Sequence, residues 1–237
     1  VKDNAAYISL VKDSLVKYVV GMTHSRDRLG WAQDLYEQAM FYGEPDALAV
    51  ADAELNGVEA DLALARGRVM HVRVLRDRKE DPREIELFQR AAELYHEIGD
   101  GRAEGEALFW VGIVHQVVRD DTAASLPFFE RAGELATEAG DRLTQSYVVR
   151  HLGFAEMEAG RTDTARGFLE ESVRLRRELT FGPGVAAGLL ALAELAHKTD
   201  RLDEAKKHLA EARAVAEESG AHGTLKWIAA AEAEIKE

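Results

Sequence analysis

The chain of 237 residues contains no cysteine. Disulfides, thiol catalysis and thiolate-ligated metals are therefore excluded, and a reduced, cytoplasmic setting is the expected one. Only four prolines interrupt it and only 7% of its residues are aromatic, whereas Ala, Leu, Glu and Arg abound, a composition that favours helix throughout. No run of eighteen uncharged apolar residues occurs, so no membrane-spanning helix is expected. Positive charge is also in deficit: the net charge is −13 and the pI about 5.1. Such a surface repels phosphates, which argues against nucleic acid as a partner. The one basic stretch, Arg66, Arg68, Arg73, Arg76, Arg78, Lys79 and Arg83, is diluted by Asp77, Glu80 and Asp81 and reads as a solvated helix end. The first residue is Val rather than Met, which reads as a processed product or a piece of something longer.

What is present in abundance is periodicity. The pattern Glu84…Phe88…Ala91…Leu94 returns as Ser125…Phe129…Ala132…Leu135, as Ala165…Leu169…Ser172…Leu175 and as Ala205…Leu209…Ala212…Val215, at intervals of 41, 40 and 40 residues. A large–small–large helical core repeated at a fixed period indicates helix pairs stacked into a solenoid. Between these helices lie others, 104–118, 144–159 and 185–198, carrying Val111-Gly112, Leu152-Gly153 and Leu192-Ala193. Small residues there let neighbouring helices approach to about 8–10 Å while a large residue fills the gap beside them. Glycines at 99, 140 and 220, and the turn Gly182-Pro183-Gly184, are expected to close the helices before them. A lone helix over 224–236, with Trp227, Ile228 and Ile235, is expected to cover the last apolar face.

The N-terminal part is less regular. Residues 4–20 read as an amphipathic helix bearing Ile8, Leu15, Tyr18 and Val19, too interrupted by charge for a signal peptide. Residues 27–42 read as a second helix, ended by Gly43 and Pro45. From 46 to 77 an apolar stripe runs through Leu48, Ala51, Leu55, Val58, Leu62, Ala65, Val69 and Val72. Asn56-Gly57 lies within it, and the repeat register of Leu48 and Ala51 favours two helices broken at Gly57 over one long bent helix. The expected organisation is an irregular helical region 1–57, repeat pairs over 58–220 and a capping helix over 221–237.

These pairs resemble the tetratricopeptide repeat, in which the first helix carries a large residue before Leu-Gly or Leu-Ala and the second carries Ala, a large residue four on and a small one three further. Gly160 matches the glycine that closes the family's first helix. The period departs from the family's usual 34, the closing proline is missing, and His115, Glu156 and Ala196 stand where a tyrosine is expected. These departures are similar to longer-helix relatives in kinesin light chains, Rap-type bacterial peptide receptors and sensor arms of bacterial transcription activators. The resemblance implies an all-α, right-handed superhelix of stacked antiparallel helix pairs whose first helices line a concave surface; the composition is bacterial-looking. The Lys, Asn and Arg set with which chaperone-binding members clamp an acidic tail is not supplied.

Catalytic constellations are scarce. None of the eight histidines forms a metal-binding pair on one helix, no phosphate loop or nucleophile elbow is present, and neither cofactor nor metal is expected. His115, His151 and His197 occupy three different repeat positions and read as structural residues. The groove-facing positions implied by the resemblance are Glu106, Phe109, Ile113 and Gln116, then Tyr147, Arg150, Phe154 and Met157, then Ala187, Leu190, Glu194 and His197. Phe109, Ile113, Tyr147, Phe154 and Met157 would hold apolar side chains of a protein or peptide, and Arg150 an acidic group. The competing reading is that these residues pack against neighbouring helices, or that the chain's own N-terminal helix fills the groove. Helix 104–118, apolar nearly all round, must be buried all round or expose part of its surface to a partner. Two other functions are open: self-association through the N-terminal helix and the 46–77 stripe, as a scaffold or the sensor arm of a larger regulator, and a partner-directed phosphatase built on Glu106, Gln116, Glu194 and His197.

Overall fold

A computed structural model describes residues 25–235. Ten α-helices lie among them and no strand does: α1 (Ser25–Glu37), α2 (Ala47–Asp77), α3 (Arg83–Glu97), α4 (Gly101–Ile113), α5 (Thr122–Glu138), α6 (Arg142–Glu158), α7 (Thr162–Glu178), α8 (Gly182–Lys198), α9 (Leu202–Glu218) and α10 (His222–Glu234). One π turn, Gln38–Tyr42, extends α1 and another, Val114–Val118, extends α4. Each helix packs on the next, and α4 also touches α6 as α8 touches α10. The result is an all-α stack of antiparallel pairs in which α4, α6, α8 and α10 form one wall and α3, α5, α7 and α9 the other. The reading of 4–20 as a helix falls outside the described residues.

The repeat pattern is the core of the stack. Phe88, Ala91, Leu94, Phe129, Ala132, Leu169 and Ser172 have no measurable exposure, and the leading position of each unit, Glu84, Ser125, Ala165 and Ala205, is equally sealed. The small residues of the first helices answer the large ones of the second. A β-carbon on Gly112 would lie 2.5 Å from the Phe129 ring, and one on Gly153 would lie 2.9 Å from Leu169. Gly67 stands in the same relation to Phe88, at 2.5 Å, so the second half of α2 acts as the first helix of the α3 unit.

The same beat sets the turns. Left-handed backbone occurs at Asp120, Gly160 and Asp200 after α4, α6 and α8, and at Gly99, Gly140, Thr180 and Gly220 after α3, α5, α7 and α9. The turn after α7 is thus closed by Thr180, not by the glycines at 182 and 184. Gly182 instead begins α8, where a β-carbon would meet Ser219 at 2.7 Å. A β-branched residue at φ 52° is strained, and αL backbone costs an L-residue about 1–2 kcal/mol. Thr180→Gly should therefore stabilise the chain by about 1 kcal/mol after the extra chain entropy of glycine is subtracted. Urea unfolding would read this as a raised midpoint at unchanged slope.

The expected break at Gly57 does not occur: α2 is one helix of 31 residues. Gly57 serves close approach rather than a turn. Its Cα faces the Arg28 guanidinium of α1, which would overlap any β-carbon placed there. Arg28 is held by Glu54 at 3.7 Å and Asp100 at 4.0 Å. The position expected to divide the irregular region from the repeats therefore falls mid-helix. The apolar stripe read from the sequence is mostly not the buried face: of its residues only Ala51 is buried, while Leu48, Leu55, Leu62, Val69 and Val72 are exposed, with Met40, Phe41 and Tyr42 exposed at the end of α1; α2 instead buries Ala47, Ala60, Ala63, Leu64, Gly67, His71 and Val74, the face that meets α1 and α3. The basic stretch from 66 to 83 is solvated as expected, apart from Arg68, which pairs with Glu106 and lies 5.8 Å from the Trp110 ring centre.

At the other end α10 packs against α9 and α8. Ile228 is fully buried in the core of α8 and α9. Trp227 points the other way and is 59% exposed.

Candidate functional site, a groove along the first helices

The wall of first helices encloses an open cavity of about 860 Å³. His71 and Leu75 enter it from α2, Phe109, Ile113 and Gln116 from α4, and Tyr147, Arg150 and Phe154 from α6. Ala187, Leu190 and Glu194 enter from α8, and Trp227 from α10. Of the candidates read from the sequence, Phe109, Ile113, Gln116, Tyr147, Arg150, Phe154, Leu190 and Glu194 are brought together here. Met157 and His197 are not among the lining residues. Met157 packs instead against the α7–α9 core, and His197 sits one turn beyond Glu194 with its Nδ1 buried and unpartnered.

The lining divides into floor and wall. Phe109 and Ile113 are 3% and 4% exposed and form the floor, which is why α4 can be apolar nearly all round: α3, α5 and α6 cover it. Around Phe109 cluster the rings of Trp110, Tyr147 and His151, each with centres 5.5 Å away, and Phe129 at 5.8 Å. Such offset and edge-on packing holds the floor rigid. Tyr147, Phe154 and Trp227 keep part of their surface open to the cavity.

Two arginines reach the same cavity. Arg150 lays its guanidinium on the Phe154 ring at 4.5 Å and leaves Nε buried without a hydrogen-bond partner. Arg176, from the second helix α7, is 2% exposed. It donates from Nη1 to the Gly184 carbonyl at 3.0 Å and from Nε to the Ser146 hydroxyl at 3.3 Å, and lies 4.8 Å from the Tyr147 ring centre. Burial lowers Arg150 to about 10, opposed by Glu194, and lowers Arg176 to about 9, helped by the charge of Arg150. Both remain cationic at neutral pH. The same surroundings push Glu194 upward, because burial outweighs the pull of Arg150. Sequence reasoning missed Arg176, since second helices are not expected to reach the concave face. Its signal was an arginine in the register directly after the buried Leu175.

The histidines divide. His151 is structural as expected. Burial, then Arg150, Arg176 and His71, hold its pKa well below the usual value, so the neutral ring donates Nδ1–H to the Gln116 Oε1 at 2.6 Å, and Gln116 returns Nε2–H to the His151 carbonyl at 3.1 Å. His115 stacks on Phe128 at 5.3 Å, but its Nδ1 is buried without a partner. A folded-state pKa below the unfolded value of about 6.5 means that the unfolded chain gains a proton first as pH falls. Stability from neutral His151 is thus complete above about pH 6.5 and is lost progressively below it. Urea midpoints measured from pH 8 to 5 should fall on the acid side, and His151→Gln should flatten that limb.

Of the four candidates for phosphatase chemistry only Gln116 and Glu194 line the cavity, and Gln116 is engaged by His151; Glu106 pairs with Arg68 and His197 lies outside the lining. Among the described residues no group of His, Asp or Glu is placed to hold a metal ion, and no helix is long and apolar enough to cross a membrane.

Comparison with known proteins agrees with this geometry where it matches. Residues 143–218 match the family model for the tetratricopeptide repeat, which spans α6 to α9. No curated protein matches the chain. A solved structure titled "Crystal structure of BtubC (BKLC) from P. vanneervenii" is 16% identical, with 91% of this chain and 87% of that chain covered and a TM-score of 0.36, a likeness too loose to bear on function. Residues 143–218 thus carry tetratricopeptide repeats, and the 40-residue beat and the consecutive packing of antiparallel pairs continue the same all-α architecture into α3 and α4.

Proposed function

We propose that the protein is a non-catalytic receptor for a polypeptide segment of a partner protein, held in the groove of the first helices. The family supplies the broad class, protein-interaction scaffolds. The observation that carries the finer reading is the convergence of α2, α4, α6, α8 and α10 on one open cavity with an aromatic wall and a buried cation. A rigid aromatic surface beside a guanidinium is the usual anchor for an apolar side chain flanked by an acid. The occupant is a segment with one large apolar residue for the wall formed by Tyr147, Phe154 and Trp227, and an acidic group for Arg150. Peptides selected from a displayed library on the intact protein provide the test. Phe154→Ala and Arg150→Ala should each weaken them at least tenfold, and Met157→Ala, outside the cavity, should not. Unchanged affinity in the first two variants would sink the groove assignment. In this reading the protein is cytoplasmic and needs no cofactor.

A second reading has its own observation. The exposed face of α2, with Val69 55% and Val72 65% exposed, and the still more exposed Phe41 and Tyr42 of the turn that extends α1, present more apolar surface than isolated surface residues do. A second copy of the chain, meeting it about a two-fold axis, is the occupant such a self-complementary stripe fits. Sedimentation of the chain with and without residues 1–22 distinguishes the two cases. A monomer at high concentration in both would remove self-association.

A further inference from the structure

We infer that the exposed face of α2 is the seam of an antiparallel two-helix coiled coil, closed by α2 of a second copy in a single register. This rests on the self-association reading above and fixes the orientation and register that it leaves open. Leu48, Leu55, Leu62 and Val69 lie seven residues apart, and Ala51, Val58, Ala65 and Val72 each follow three residues later. These are the first and fourth positions of a heptad, the pattern of a coiled-coil seam rather than of a helix buried in a globular core. α2 is a single helix across all of it, and its own core uses a different side, through Ala60, Ala63, Leu64, Gly67, His71 and Val74. At its start the seam is covered by α1, where Ala51 packs with Ala32 and Leu35. From Leu55 onward it is open, with Leu55, Leu62, Val69 and Val72 between 45% and 65% exposed.

Charge decides the occupant and its direction. The fifth heptad positions, Asp52, Glu59, Arg66 and Arg73, run along one flank of the seam, all exposed, two acids followed by two arginines. Among the described residues Asp52 and Arg66 have no ion-pair partner, Arg73 acts on Asp77 at longer range and Glu59 meets Arg90 at 2.8 Å. The seventh positions, on the other flank, are engaged within the chain: Glu54 by Arg28, Asp61 by Tyr95 and Arg68 by Glu106. A flank that is acidic in its first half and basic in its second complements itself only when reversed. In an antiparallel pair the fifth positions of the two helices face each other. With Leu55 set on Val72 of the second copy and Leu62 on its Ala65, Asp52 meets Arg73 and Glu59 meets Arg66, each twice by the two-fold symmetry. A register one heptad away puts Glu59 on Glu59 or Arg66 on Arg66. A parallel pair sets fifth positions against seventh: Glu54 against Glu59 and Arg68 against Arg73, with Asp61 against Arg66 the one favourable contact. Like charges at such contacts select against the wrong arrangements.

Two charge reversals on the full chain test the orientation, with sedimentation as the readout. Asp52→Arg sets arginine on Arg73 of the second copy, and Arg73→Asp sets aspartate on its Asp52. Each variant alone should dimerise about tenfold more weakly than the unsubstituted chain, or worse. An equimolar mixture of the two restores both pairs in the heterodimer and should dimerise as the unsubstituted chain does. Both positions are exposed, and circular dichroism checks that each variant keeps its helix content. Because the chain has no cysteine, crosslinking reads the register directly. Leu55 and Val72 lie about 25 Å apart along one helix. A chain carrying both Leu55→Cys and Val72→Cys should therefore form disulfides between copies, giving a covalent dimer on a non-reducing gel, and Leu55→Cys alone should not. A monomer at every concentration, with and without residues 1–22, overturns self-association and this seam together. A dimer that forms only after residues 1–22 are removed assigns the seam to the start of the chain itself and overturns the second copy as its occupant. A dimer that ignores both charge reversals, a mixture that does not recover it, or crosslinking of Leu55→Cys alone leaves self-association standing and overturns the antiparallel register. The groove reading is untouched by each of these results.

Discussion

Phe129→Ala is expected to lower the free energy of unfolding by about 3–5 kcal/mol, the range for a fully buried Phe truncated in a core that relaxes only partly. Phe129 has no exposure and sits where three first-helix features meet: the Gly112 backbone, the Phe109 ring at 5.8 Å and the His151 ring at 5.6 Å. Collapse around the void is opposed on each side, because Gly112 already brings α4 as near as a helix can come. The effect should exceed that of Leu209→Ala in α9, since Leu209 lies in the last full pair. In a stacked array, stability is roughly a sum of unit and interface terms. Loss of a central unit therefore removes two interfaces, and urea unfolding should show a lower slope as well as a lower midpoint if the array divides at α5. A loss under 1 kcal/mol would mean that the repeat core is not what holds the stack.

The second large effect concerns Glu84. It occupies the register that Ser125, Ala165 and Ala205 hold elsewhere, yet it is a carboxyl group with no exposure. Among the described residues its one hydrogen-bond partner is His71, whose Nδ1 lies 2.6 Å from Oε1, while Oε2 has none. His71→Leu strands the carboxyl group in the core and should cost about 3–5 kcal/mol, as removal of one member of a buried pair does. Glu84→Ala on that background should recover most of the loss, because alanine is the residue this register holds in two other units. The double-mutant cycle measured by urea unfolding checks both statements, and additive losses would contradict the pairing. His71 also lines the groove and lies 5.3 Å from Trp110. The pair therefore ties the first-helix wall to the second-helix wall where the array is least regular.

Much of this was legible before any coordinates. The spacing of Phe129, Ala132 and Leu135 against Phe88, Ala91 and Leu94 carries both the period and the burial, because a solenoid's contacts are local in sequence. The groove residues on α6 were legible for the same reason: once Gly153 is set against Leu169, helical geometry directs Tyr147, Arg150 and Phe154 to the other face. Three things were not legible. Gly57 reads locally as a helix breaker, and only the tertiary approach of Arg28 shows that it is a packing residue. Thr180 closes α7 although Gly182 and Gly184 stand close by, because the backbone position is set by the 40-residue beat rather than by residue preference. Arg176 belongs to a second helix, and its passage to the cavity depends on the small Ser146 and Gly184 that border it. Met157 and His197 were expected at the groove and are not on its lining; Met157 packs against the core of α7, α8 and α9 instead.

The claim that the concave face of the first helices is where a partner binds is tested most directly by mapping a library-selected peptide with a spin label. Paramagnetic broadening in the NMR spectrum should concentrate on Ile113, Phe154 and Leu190 and spare exposed second-helix positions such as Arg131 and Arg174. Broadening centred on Arg131 and Arg174, or on the exposed stripe of α2, would contradict the account.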